Sequence, residues 1–138
     1  MSAHEHHQTA PALTKNQRLV FDALANADGP LSAYTILDQL RDEGFRAPLQ
    51  VYRALEKLLE KGIVHRLESL NAFVACADPH CQSHGSSAFA ICQECGQVSE
   101  FADGGVEQGL QRWASDHGFK VAKTTIEIRG LCARCRAA

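Results

Sequence analysis

No run of about 18 apolar residues occurs anywhere in the chain, so no segment is expected to span a membrane. The N-terminus lacks the apolar core of a secretory signal, which points to a cytoplasmic protein. A dominant charge is also missing. Fourteen Lys and Arg against sixteen Asp and Glu leave a formal net charge of -2. That balance argues against a polybasic nucleic-acid protein, though not against a localised contact face. Neither of the chain's two Cys-x-x-Cys turns follows a proline, and His4-Glu5-His6 does not fit the His-x-Glu that zinc deaminases require. An enzyme is therefore not expected. What is present is a globular composition, 45% hydrophobic and 22% charged, over 138 residues. That suffices to bury a core in one ordinary domain or two very small ones.

Cysteine is the residue the chain has in excess. Six cysteines in a reducing compartment point to metal rather than to disulfides. Four fall into the pairs Cys92-Gln-Glu-Cys95 and Cys132-Ala-Arg-Cys135. Each pair presents two thiolates from one tight turn, and together they supply the four soft ligands of a closed tetrahedral zinc site. Gly96 lets the chain turn sharply after the first pair. A shared metal would clamp the last strand and the C-terminus onto the middle of the chain. Two disulfides, a redox-active dithiol or an iron tetrathiolate use the same spacing.

In chain order, residues 1–12 read as a flexible tail containing His4, His6 and His7. Thr14 is placed as a helix N-cap with Gln17 in the capping-box position, and Val20, Phe21, Leu24 and Ala25 repeat at helical spacing. Asp28-Gly29-Pro30 stops that helix. Ser32 starts a second one, with Tyr34, Ile36, Leu37 and Leu40 as its buried stripe and Gly44 as its end. Pro48 opens a third helix. It carries Val51, Leu55, Leu58 and Leu59 toward the core, and Gly62 follows its C-cap. Strand-like runs at Ile63–Leu67 and Ala72–Cys76 flank a Ser69-Leu70-Asn71 turn. Three helices followed by a β-hairpin is the order of a winged helix-turn-helix over residues 13–76. Residues 77–87 form a polar hinge loop. Residues 88–138 form a second domain, with strands at Ala88–Ile91 and Gln97–Phe101, a helix facing inward through Val106, Leu110 and Trp113, and a final strand from Phe119 to Arg129.

A helix in the major groove reads base edges with side chains that point away from its own core. The segment Gln50-Val51-Tyr52-Arg53-Ala54-Leu55 of the third helix meets that requirement, with Gln50, Tyr52 and Arg53 as its candidate DNA contacts. Arg18, Lys57, Lys61 and Arg66 could grip phosphates. A solvated helical face, with Glu56 and Glu60 balancing the lysines, is the plain alternative.

These motifs resemble the ferric uptake regulator family. The likeness is carried by Leu13-Thr14 with Gln17-Arg18, Val51-Tyr52-Arg53-Ala54-Leu55 with Gly62, Cys92-x-x-Cys95-Gly96 and Gly130-Leu131-Cys132-x-x-Cys135, and it covers about residues 13–136. Ser32-Ala33-Tyr34, Val64-His65, Glu68-Ser69 and Ile126-Glu127 resemble the zinc-responsive branch. The resemblance implies an α+β chain: an N-terminal winged-helix DNA-binding domain joined by a hinge to a small α/β dimerisation domain. It implies a homodimer that binds palindromic operator DNA when zinc is bound and represses zinc-uptake genes. Gln50 stands where the family commonly has Thr, so operator contacts could differ there. Thr124 stands where iron-sensing relatives place a histidine, which favours the zinc branch over an iron- or peroxide-responsive repressor.

The resemblance also implies two zinc ions per chain, one structural at the four cysteines and one regulatory at His65, Cys76, His84 and Glu100. One thiolate, two imidazoles and one carboxylate suit tetrahedral zinc. Taken singly, His65 could contact a phosphate, Cys76 could be a buried thiol and Glu100 a solvated strand residue. His80 or Cys81 could replace or supplement His84.

Overall fold

The computed structural model of the chain describes residues 12–76 and 86–137. They fall into two compact units, one reaching Ala75 and the other starting at Cys76. The expected tail histidines, and His80, Cys81 and His84, lie outside the described residues.

The first unit begins with α1, Lys15–Ala25. Its capping box forms: Gln17 N–H donates to Thr14 Oγ1 and Thr14 N–H to Gln17 Oε1, both at 3.2 Å. Two amide groups that the helix itself leaves unpaired are thereby satisfied. The second helix, α2, spans Ala33–Gln39, and Ser32 Oγ accepts from Thr35 N–H at 3.1 Å. It stops earlier than Gly44. A 3-10 turn over Arg41–Glu43 intervenes, and Gly44 then adopts φ 103°. The third helix, α3, runs Pro48–Glu60 with Pro48 in its first turn, and Gly62 (φ 77°) follows the C-cap Lys61. Strands β1, Val64–Leu67, and β2, Ala72–Ala75, then pair antiparallel with His65 opposite Val74. Leu31 adds a short bridge to Phe73 at this hairpin.

Val20, Ile36, Phe45, Val51, Leu55 and Leu58 are fully or almost fully buried at the centre of this unit. Each contributes about 1.5–3 kcal/mol by leaving water. Tyr34 is not among them and stands 62% exposed. The helical period explains the correction. Ala33, Ile36, Leu37 and Leu40 share one face, and position 34 is turned about 100° from position 33. Alanine, not tyrosine, fills the first inward position.

The second unit contains β3 (Ser86–Cys92), β4 (Val98–Phe101), α4 (Gly104–Asp116), β5 (Thr124–Gly130) and α5 (Ala133–Ala137). Its sheet has the order β4-β3-β5, with β3 antiparallel to β4 and parallel to β5. In this register Cys92 lies opposite Gly130. The last strand is shorter than its apolar pattern suggested, since residues 119–123 stay outside it. Asp103 caps α4 by accepting from Gly105 N–H at 2.8 Å and Val106 N–H at 3.2 Å.

Few side chains are buried here: Ala88, Phe89, Ile91, Cys92 and Ala114 among the described residues. Trp113, expected in the core, is 53% exposed, and Val106 and Leu110 on the same stripe are exposed as well. Ala114 is the buried residue of α4. The 3.6-residue period was read correctly, but this apolar face is not covered within its own unit. No helix among the described residues is long and apolar enough to cross a membrane.

Candidate metal centre and recognition helix

Parallel pairing of β3 with β5 delivers the two cysteine turns to the same end of one sheet. The first turn is tied back by Cys92 N–H to Gln97 O at 2.9 Å, and Gly96 closes it at φ 80° with its N–H on Cys92 O at 3.0 Å. Gln93 N–H donates to Gly130 O at 2.7 Å, which fastens this turn to the end of β5. The second turn leads into α5.

The sulfurs of Cys92, Cys95, Cys132 and Cys135 consequently all lie within 4.8 Å of one another. Cys95 Sγ and Cys132 Sγ are 3.8 Å apart. Zinc–sulfur bonds of about 2.3 Å give a tetrahedron with edges of about 3.8 Å, so this spacing suits that ion. Backbone donors are aimed at Cys92 Sγ, from Cys95 N–H at 3.5 Å and Cys132 N–H at 3.4 Å. With the Cys95 amide as the larger cause and the Cys132 amide next, the Cys92 thiol falls to about 6. Cys132 is lowered too, chiefly by the Cys135 amide. Cys135 is pushed up to about 12, first by its bond to the Cys132 sulfur. The Cys92 and Cys132 thiols are thus eased toward the thiolate, while hydrogen bonding to the neighbouring sulfurs holds the proton on Cys135. A cation at the centre of the cluster favours the thiolate form of each.

The other predicted ligands are distributed as follows. In the second unit, Cys76 Sγ lies 3.7 Å from Glu100 Oε2, and both residues are half-buried. Cys76 Sγ donates to Glu100 Oε2 across that distance, and Cys92, Cys95, Cys132 and Cys135 are free. His65 belongs to the first unit, half-buried on β1. His84 lies outside the described residues.

On α3, Val51, Ala54, Leu55 and Leu58 face inward, and Tyr52, Arg53, Glu56 and Lys57 face outward. Tyr52 is 40% exposed. Arg53 and Arg66 face a groove of about 460 Å³ between α3 and the β1–β2 hairpin. Arg66 is anchored in the hairpin turn: its Nη2 donates to Asn71 Oδ1 at 3.0 Å and its Nη1 lies 3.8 Å from Glu68 Oε1. Lys57 Nζ lies 3.7 Å from Glu60 Oε1, an exposed pair of little strength. Arg18 is exposed on α1, and Lys61 caps the end of α3.

Gln50 has a different role from the expected one. Its Oε1 accepts from Arg46 N–H at 2.6 Å and Ala47 N–H at 3.0 Å, capping the start of α3. Leu49, which carried no expectation, stands 56% exposed on the outward face. Its position next to Pro48 and three residues before Tyr52 was the signal available in the sequence.

Comparison with known proteins accords with this arrangement. Residues 10–129 match the model of the ferric uptake regulator family. The zinc uptake regulation protein of Escherichia coli K12 is 42% identical over 124 residues, covering 89% of this chain and 72% of that protein. The ferric uptake regulation protein of the same strain is 31% identical over 111 residues, covering 77% and 72%. A crystal structure of holo XcZur superposes with a TM-score of 0.84 at 39% identity, covering 97% of this chain and 96% of that one. A zinc uptake regulator complexed with zinc and DNA gives 0.86 at 38% identity, covering 99% and 91%. The chain belongs to the ferric uptake regulator family and, within it, is most like the zinc uptake regulators.

Proposed function

We propose that this chain is a zinc-responsive transcriptional repressor of the cytoplasm and not an enzyme. It acts as a homodimer that binds palindromic operator DNA when regulatory zinc is bound, and it represses zinc-uptake genes. The observation that carries this reading is its likeness, at 38% identity over nearly the whole chain, to a zinc uptake regulator complexed with zinc and DNA.

Cys92, Cys95, Cys132 and Cys135 would hold one structural zinc ion. A bound ion supplies a cross-link and folding free energy, and carries out no reaction. The cysteines join the ends of β3 and β5 through it. His65, Cys76, His84 and Glu100 would hold the regulatory ion. Glu100, already beside Cys76, contributes the carboxylate. Ligands drawn from either side of residues 77–85 make affinity depend on chain arrangement, so binding selects one arrangement. A second copy of the chain would cover the exposed Val106, Leu110 and Trp113 stripe of α4. The resulting dimer would present two α3 helices to two half-sites. Tyr52 and Arg53 would face base edges, with Arg18, Lys57 and Arg66 near phosphates.

Metal content per chain, measured by elemental analysis before and after mild chelation with DNA binding followed in parallel, tests the proposal. One zinc should survive, a second should leave, and DNA binding should leave with it. DNA binding that ignores chelation overturns the zinc switch, and an Arg53→Ala chain that binds operator normally overturns the use of α3.

A further inference from the structure

The commitment of Gln50 leaves the first outward turn of α3 with a residue that cannot hydrogen-bond. Glutamine reads adenine bidentately, accepting from N6 with Oε1 and donating to N7 with Nε2. An amide oxygen has two lone pairs. Both of Gln50's meet backbone N–H groups, from Arg46 at 2.6 Å and Ala47 at 3.0 Å. Bidentate reading by Gln50 would break the cap of its own helix.

Leu49 takes the outward place beside it. Residues 49, 52, 53 and 56 recur at intervals of three and four, which sets them along one helical face. Leu49, Tyr52, Arg53 and Glu56 all border the groove between α3 and the hairpin. Leu49 is the residue of this face nearest the helix N-terminus, and residues near the start of a recognition helix meet base edges. Its isobutyl group is 56% exposed. An exposed leucine on an otherwise polar reading face has one complement in B-DNA's major groove, the C5-methyl of thymine.

We propose that Leu49 is a specificity-determining residue that selects thymine through its methyl group, at a position near the base met by Arg53, while Gln50 reads no base. This rests on the DNA-binding reading given above.

The test begins with sites selected from random duplex DNA by the zinc-loaded full chain. Each thymine of the selected half-site is then replaced singly by uracil, which removes only the methyl. Affinities are measured for the native chain, Leu49→Ala and Gln50→Glu, which keeps the capping oxygen and removes the amide donor that adenine N7 needs. At one thymine, uracil should weaken native binding about fourfold, the worth of one buried methyl-sized group. Leu49→Ala should show no such loss there, and comparing both changes isolates the pair from general effects of the methyl on DNA. Sites selected by Leu49→Ala should lose thymine at that position, and those selected by Gln50→Glu should keep every adenine of the native ones. Uracil effects equal in native and Leu49→Ala chains at every thymine overturn the assignment. So does loss of an adenine preference in Gln50→Glu. Failure of the native chain to select any sequence overturns the DNA-binding reading itself and removes the inference with it.

Discussion

Replacing Cys95 by serine separates two ways of holding the second unit together. Cys95 is exposed, and its sulfur faces the other three cysteine sulfurs. If packing alone maintains this unit, exchanging an exposed sulfur for oxygen shifts stability by no more than about 0.5 kcal/mol. That is about 2–4 °C of melting temperature for a domain of this size. If the four thiolates hold zinc, the site is worth about 10–16 kcal/mol. Losing a third of that, about 3–5 kcal/mol, rivals the burial of Phe89 and Ile91 together, about 3–6 kcal/mol. The expected result is a fall of more than about 10 °C in the second unit's transition, or its disappearance, with one zinc fewer per chain. The first unit, with its separate core, should retain its helical signal. Circular dichroism melts, size-exclusion chromatography and elemental analysis on the full-length variant supply the three readouts. A native melt with native zinc content would show that Cys95 is not a ligand. A native melt with one zinc lost would show that the ion does not stabilise the fold.

Two further perturbations address the other proposed roles. Trp113 is the chain's single tryptophan, so its emission should move to longer wavelength when the dimer is diluted apart. Trp113→Asp should elute as a folded monomer, and an unchanged dimer would remove α4 from the interface. Cys76→Ser should keep the fold and weaken the zinc response by roughly tenfold or more, whereas an unaltered zinc titration would exclude Cys76 from the regulatory site.

Local signals were legible in the sequence because they act through neighbours in the chain. The Thr14–Gln17 box, Ser32, Pro48 and Gly62 each fix a helix end through contacts within a few residues, and all took the expected places. The cysteine turns were legible for the same reason, since two thiols three residues apart share a turn whatever surrounds them. Trp113 and Tyr34 were misjudged because apolar spacing marks a face but does not say what covers it. Gln50 was taken for a reading residue because its polarity shows a hydrogen-bonding capacity without showing where that capacity goes. Phe45, fully enclosed in the first unit, lies in the short connection after the 3-10 turn, where no period announces it.

The parallel register of β3 and β5 also sets an order of assembly. In the first unit, consecutive helices and a tight hairpin meet through short loops, which close early. The second unit must bring Cys132 beside Cys92, a separation of 40 residues, and parallel pairing cannot begin with a hairpin. A newly made chain would therefore form α3 before its two cysteine turns meet. If the four cysteines hold zinc as proposed, each pair could capture metal separately in that interval, and zinc supply would act on this chain first as a condition for maturing, before acting as a signal.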